Sequence, residues 1–223
     1  MKKQEERKKH IVFFDFDNTI TSVDTIDDLI PRFSRNDRWK ELEKDWRMEK
    51  IGSRECLKGQ MECLDIGKAE LDKYLSGIKL DPYFKKLLGL LSKKNIPFYI
   101  VSDNFDYILR NVLSSNGLDG LKVYSNRLRI TGNRLFTSFP LANKNCKKRK
   151  CGHCKTGSVS SNVDEDSTVI YIGDGRSDFC PASRAHIVFA KDDLKDRMES
   201  EGLAHIPFND LKKVYDYFKN ELI

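Results

Sequence analysis

Asp15 and Asp17 close the apolar run at residues 11–14 in the segment HIVFFDFDNT, with Thr19 two positions on. Strand side chains alternate, so both carboxylates would emerge on one face at the carboxyl end of a buried strand. Carboxylates that close repel and raise one pKa, unless a cation sits between them. A polar turn after a strand, where Asp and Asn are common, is the plain alternative. Far downstream the design returns: TVIYIGDGRSD, residues 168–178, runs through β-branched and aromatic residues into Gly173, Asp174 and Gly175, with Asp178 beyond. The glycines permit a sharp turn and a close approach to a ligand. Asp178 would lie in the first helical turn beside Asp174, and oxygen ligands clustered in this way suit a hard cation. A third strand, residues 96–104, carries Ser102 near its tip, where a hydroxyl can donate to an anion at a helix head. Lys155 follows a cysteine-rich loop and starts a short helical segment. It comes after five cationic residues at 144–150, so its helix-start position, rather than its charge, singles it out.

These side chains must be delivered to one place. In open α/β sheets ligands bind beyond the carboxyl ends of the strands, which is where all three strand tips would converge. Strands are expected near 11–16, 97–102, 121–127, 168–173 and 186–190, alternating with helices, so the fold class is α/β with a mainly parallel sheet. Apolar residues at helical spacing mark core-facing helices: Ile26, Leu29, Ile30 and Phe33; Phe84, Leu87, Leu88 and Leu91; Leu211, Val214, Tyr215 and Phe218. Trp39, Leu42 and Trp46 mark a further helix, and four short helices are expected to form a small bundle after the first strand. Gly132-Asn133, between Leu128, Ile130 and Leu135, Phe136, predicts a hairpin at the sheet edge.

DxDxT at Asp15, Asp17 and Thr19, the strand-terminal Ser102, Lys155, and GDGxxD at Asp174 and Asp178 stand in this order along the chain. Together they resemble the haloacid dehalogenase (HAD) superfamily of phosphatases, over nearly the whole length. The helical insert from about Thr21 to Lys79 looks like that of the phosphoserine phosphatase branch. The strings Ile51-Gly52-Ser53-Arg54-Glu55-Cys56-Leu57 and Cys151-Gly152-His153-Cys154-Lys155 look like the MtnX-like branch of methionine-salvage phosphatases. The resemblance implies a Rossmann-like catalytic core at 1–20 and 80–223, with a helical cap at 21–79 that sets specificity.

It also implies a Mg²⁺-dependent phosphomonoester phosphatase working through an aspartyl-phosphate. A phosphate monoester repels nucleophiles, and its loose transition state puts charge on the phosphoryl oxygens, so positioning and neutralisation dominate. Asp15 is the expected nucleophile, ionised without a helper base. Asp17 is the expected general acid and then base, which requires a raised pKa. Mg²⁺ would be held by the Asp15 carboxylate, the Asp17 backbone carbonyl and Asp174, with Asp178 behind them on a bound water or on Lys155. Ser102 and Lys155 would hold the remaining phosphoryl oxygens, and Thr19 joins the substrate-binding set.

Three substrates stay open, ranked with an enol phosphate of methionine salvage first, amino-alcohol phosphates second and phosphoserine third. Asp24 stands where phosphoserine phosphatases carry an acid that can meet an ammonium group. Their carboxylate-binding arginine falls at Gln60, which weakens phosphoserine, because an unpaired carboxylate is costly to desolvate. Arg54 could substitute, though a surface ion pair is its simplest role. Ser102-Asp103-Asn104 and the stretch after Asp174 look like phosphocholine and phosphoethanolamine phosphatases. There Asp103 would meet a cationic head group; otherwise it caps the next helix.

Cys146, Cys151 and Cys154, with His153 between them, have the spacing of a structural Zn²⁺ site; a disulfide or reduced thiols are the alternatives. A different class of function is a basic, cysteine-rich nucleic-acid-binding loop on an inactive scaffold. It is disfavoured because residues 143–158 lack stacking aromatics. The net charge of +6 would attract phosphorylated metabolites and nucleic acid alike. No run of about 18 apolar residues suggests a membrane span, and the opening MKKQEERKKH reads as a solvated charged arm with no apolar leader. A cytoplasmic enzyme acting on a small phosphate ester, as monomer or homodimer, is the expectation.

Overall fold

A computed structural model describes residues 9–143, 146 and 150–221. The charged arm at 1–8 and most of the basic stretch at 144–149 lie outside the described residues. β1 (Lys9–Phe14) is the middle of a seven-stranded sheet of order β4-β3-β2-β1-β5-β6-β7. Its neighbours are β2 (Phe98–Phe105) and β5 (Ser167–Gly173), both parallel to it. β6 (Ile187–Ala190) and the two-residue β7 (Ile206–Pro207) extend the sheet on one side. β3 (Val123–Thr131) and β4 (Arg134–Ser138) form the edge hairpin expected around Gly132-Asn133. β3 runs past its expected end because its second half pairs with β4. Among the described residues, only this last pair of strands is antiparallel.

Alternation along β1 divides the core. Val12 and Phe14 face one side, with α5 (Phe84–Lys93), α6 (Asp106–Ser115) and α10 (Leu211–Asn220), through Leu87, Leu91, Ile108, Val214 and Phe218. Ile11 and Phe13 face the other, with α7 (Lys155–Ser160), α8 (Phe179–Ala182) and α9 (Asp192–Ser200), through Val159, Ala182, Leu194 and Met198. A strand covered on both faces must be apolar throughout, which is why residues 11–14 show no alternation with polar types. Each large side chain so buried contributes about 1.5–3 kcal/mol.

Between β1 and α5 the chain builds α1 (Thr25–Phe33), α2 (Arg38–Arg47), α3 (Ser53–Cys63) and α4 (Lys68–Ser76). It leaves and returns side by side: Thr21 pairs with Leu80 in an isolated bridge, and Ser22 N donates to Lys79 O at 3.1 Å. α1 starts on Asp24, whose carboxylate accepts from the backbone N–H groups of Ile26 and Asp27. The Trp39, Leu42, Trp46 stripe does form a helix, but α2 has no fully buried residue.

Candidate active site

Asp15 leaves β1 with its N–H bonded to Ile172 O of β5 at 2.8 Å, so the strand that ends in Asp15 and the one that leads to Asp174 finish together. β2 flanks β1 on the other side, so the chain reverses its winding direction at β1, the switch point where open α/β sheets bind ligands. Carboxylate oxygens of Asp15, Asp174 and Asp178 come within 4.8 Å of one another. Lys155 Nζ enters this group, 2.5 Å from Asp15 Oδ1 and 2.7 Å from Asp178 Oδ1. Asp15 is 6% exposed, Lys155 3% and Asp178 0%.

Asp178 is committed on all sides. Oδ1 accepts from Lys155 and from the Tyr171 hydroxyl at 2.6 Å, and Oδ2 accepts from the backbone N–H groups of Asp174 and Gly175 at 3.2 and 3.0 Å. A Cβ on Gly173 would lie 2.7 Å from this carboxylate, so only glycine fits there. Asp174 is oriented by Thr19 Oγ1, which donates to Oδ1 at 2.9 Å, and by Asn18 Nδ2, which donates to Oδ2 at 3.1 Å. Thr19 therefore meets Asp174 directly.

Asp17 points elsewhere. Its Oδ1 accepts from the Thr25 N–H and hydroxyl, and its Oδ2 accepts from Asn104 Nδ2 at 2.8 Å. The residues that hold it thus come from α1 and β2. Ser102 is buried, and its hydroxyl accepts from Asn104 N at 3.1 Å. Asp24 and Asp103 both line a cleft of about 310 Å³ over the site. α6 begins at Asp106, not beside Asp103, so the capping alternative for Asp103 does not apply. Arg54 is exposed on α3 and does not line the cleft.

Burial is the first cause of the raised pKa values here. It lifts Asp15, with the Asp178 charge adding to it and Lys155 opposing. It lifts Asp17 against the hydrogen bonds from Thr25 and Asn104, and takes Asp174 to about 6 with help from Asp178. Asp24 and Asp103 are raised by burial as well. Burial opposes the charge on Lys155, but the adjacent Asp15 and Asp178 outweigh it and hold the ammonium charged. An all-oxygen donor set with excess negative charge fits a hard divalent ion such as Mg²⁺.

The possible zinc site finds no support. Among the described residues, Asp15, Asp174 and Asp178 form the one group gathered as metal ligands, and Cys146, Cys151 and Cys154 form no second one. No disulfide joins them either. His153 cannot complete a ligand set, because both ring nitrogens are engaged, Nδ1 with Ser102 O at 2.7 Å and Nε2 with Ser158 Oγ at 2.6 Å.

Sequence reasoning missed Thr25 and Asn104, which hold Asp17, and Tyr171, which holds Asp178. A tyrosine inside a fully buried strand was the available signal, because its hydroxyl needs a partner. It also missed Glu43 and Trp46, which line the cleft from α2.

A sequence model of the Putative Phosphatase family matches residues 10–194. The chain belongs to the Putative Phosphatase family. As a member it is a phosphoric monoester hydrolase. Its relatives include the 2-hydroxy-3-keto-5-methylthiopentenyl-1-phosphate phosphatase of Geobacillus thermodenitrificans, 26% identical over 96% of this chain and 97% of that one. The phosphatase of the same name from Lysinibacillus sphaericus is 30% identical over 90% of each. Among solved structures, a HAD family hydrolase from Salmonella enterica serovar Typhi superposes with TM-score 0.74 at 19% identity, covering 95% of this chain and 72% of that one. A phosphoserine phosphatase carrying a phospho-aspartyl intermediate analogue superposes with TM-score 0.68 at 18% identity, covering 95% and 99%. The α/β fold of this Putative Phosphatase member is the HAD fold. Among its described residues no helix is long and apolar enough to cross a membrane.

Proposed function

We propose that this chain hydrolyses a small phosphorylated metabolite by transferring the phosphoryl group to Asp15 and then to water. The observation that carries this reading is the meeting of Asp15, Asp174 and Asp178 around the Lys155 ammonium at the floor of a cleft. An Asp15 oxygen attacks phosphorus and the ester oxygen departs, taking a proton from Asp17. Asp17, now ionised, accepts a proton from water as that water attacks phosphorus. Phosphate leaves, and the Asp15 carboxylate returns. The raised pKa of Asp17 supports its holding a proton for the leaving oxygen, and Thr25 and Asn104 fix its direction. Lys155 and Ser102 are read as holders of the phosphoryl oxygens.

Asp15 and Asp174 would hold Mg²⁺, with Asp178 behind them, since protein donors already engage both Asp178 oxygens. Bound there, the ion supplies charge neutralisation at the phosphoryl oxygens. Residues 21–79 are read as a specificity cap on a core of 1–20 and 80–223. The paired linkers at Thr21 and Leu80 support that division.

The names of the bacterial relatives favour a methylthio enol phosphate as substrate. Ile26, Trp46 and Leu57 line the cleft and suit an apolar tail. A second reading, phosphocholine or phosphoethanolamine, is favoured by the acids around the same cleft: Asp24, Asp27, Glu43, Asp103, Asp192 and Asp193. Phosphoserine is the weakest. Gln60 Nε2 donates to Glu43 Oε2 at 3.2 Å, so a carboxylate already stands beside the position of the missing arginine. The reading includes a cytoplasmic setting, with a monomer or homodimer as the working form.

The test is Mg²⁺-dependent hydrolysis of p-nitrophenyl phosphate, with Asp15→Asn inactive and acid quenching trapping phosphate on the wild-type protein only. Full activity of Asp15→Asn would overturn the reading. A panel of the enol phosphate, phosphocholine, phosphoethanolamine and phosphoserine decides the substrate.

A further inference from the structure

The geometry points to His153 as a positioning residue that locks the two phosphoryl-holding elements, the tip of β2 and the start of α7, into one rigid unit. This inference rests on the reading of Ser102 and Lys155 given above. His153 is 3% exposed. Ser102 O can only accept, so Nδ1, 2.7 Å away, carries the ring proton and donates it. Nε2 is then bare and accepts from the Ser158 hydroxyl at 2.6 Å. One ring therefore ties the carbonyl of Ser102 to the helix that begins with Lys155.

The turn that presents the ring is itself tightly held. Gly152 N donates to Ser53 Oγ at 3.1 Å, and Cys154 N donates to Leu141 O at 2.9 Å. A Cβ on Gly152 would come within 3.0 Å of the Phe139 ring and 3.2 Å of the Asn126 amide. Burial takes the pKa of His153 down to about 4, so the ring stays neutral and keeps one tautomer near neutral pH. With both nitrogens engaged by fixed partners, the ring has no free site for proton transfer. Its contribution is placement: if the tie is lost, Lys155 and Ser102 can drift apart, and misplacement of about 1 Å at a reacting centre costs on the order of a hundredfold in rate.

The experiment compares wild type, Asp15→Asn, His153→Ala, His153→Asn and His153→Gln. It measures hydrolysis of p-nitrophenyl phosphate and of an alkyl phosphate, and inhibition by inorganic phosphate, all below each variant's melting temperature. An asparagine amide places an N–H near the position of Nδ1 and keeps the bond to Ser102, whereas glutamine reaches toward Ser158 instead. The expected result for His153→Ala is a kcat loss on the order of ten- to a hundredfold. The loss should be equal for both substrates, with a phosphate inhibition constant raised about tenfold, and His153→Asn should recover most of both. Wild-type kcat and phosphate inhibition in His153→Ala, with only the melting temperature lowered, would overturn the inference. If the alanine variant does not fold, His153→Asn outperforming His153→Gln supports the inference, and equal performance overturns it. The reading beneath it fails separately: wild type would be inactive, or Asp15→Asn fully active.

Discussion

Lys155 Nζ lies 2.5 Å from Asp15 Oδ1 with both side chains almost wholly buried, although 140 residues separate them in the chain. The same ammonium reaches Asp178, so one cation sits between two carboxylates. Removing one partner of a buried ion pair is far more damaging than the pair is stabilising. Lys155→Met should therefore lower stability at neutral pH by about 3–5 kcal/mol. The Asp15 carboxyl already titrates above its ordinary range and would rise further without the lysine. A carboxyl raised in the folded state favours folding in acid and loses that contribution as pH rises through its folded pKa. Urea unfolding should accordingly show a smaller deficit for the variant at pH 5 than at pH 7.5.

Asp17→Asn should separate substrates by their leaving groups. If Asp17 protonates the departing oxygen, alkyl phosphates should lose on the order of 10²–10⁴-fold in kcat, while p-nitrophenyl phosphate, whose leaving group needs no proton, loses much less. Equal losses on both would argue against the acid role.

His153 predicts an acid-sensitive term in stability. Its folded pKa of about 4 lies below the ordinary 6.5, so the unfolded chain binds the proton more readily. The associated stability is complete above about 6.5 and is lost as pH falls toward 4, a total of roughly 3 kcal/mol. The advantage of wild type over His153→Gln in denaturant unfolding should shrink across that window.

Glu43 accepts from both Arg47, at 2.7 Å, and Gln60, at 3.2 Å, and faces the cleft. Neutralising it should relieve repulsion of a substrate carboxylate. Glu43→Gln is expected to raise kcat/KM for phosphoserine several-fold while leaving p-nitrophenyl phosphate nearly unchanged. No change in the ratio of the two would remove Glu43 from the account of specificity.

Gly152→Ala should crowd Phe139 and Asn126. Overpacking of this kind costs about 1–3 kcal/mol, and the melting temperature should fall measurably. A variant as stable as wild type would mean that the turn yields more readily than its packing suggests.

The strands that carry Asp15, Ser102 and Asp174 were legible because each joins an uninterrupted apolar run to a polar tip, a pattern that only a doubly covered parallel strand tolerates. The edge hairpin was legible from Gly132-Asn133. β7 was not, since two residues, Ile206 and Pro207, leave no periodicity to read. The tryptophans of α2 announced a packed helix by their spacing, yet Trp46 turns toward the cleft. Spacing alone cannot tell a core stripe from a cavity wall. The cysteine spacing around His153 left zinc, a disulfide and reduced thiols open for a related reason: sequence distance mimics ligand geometry, but whether a ring nitrogen is available depends on Ser102 and Ser158, one of them far away in the chain. Asp17 was found as a candidate, while its holders were not: a hydrogen bond across 87 residues to Asn104 leaves no trace in local pattern, and Thr25, eight residues on, opens α1, where a threonine is ordinary.

β1 is paired along its whole length with β5, from Lys9 opposite Ser167 to Phe14 opposite Ile172. A ribosome must therefore synthesise every element from α1 to α7 after β1 before the central strand gains this neighbour. Until then Phe13 lacks the Tyr171 and Val159 side of its packing, and Asp15 lacks its cation. Over that stretch of synthesis the nascent protein stays unassembled and aggregation-exposed, and Asp15 meets Lys155 only when α7 and β5 dock.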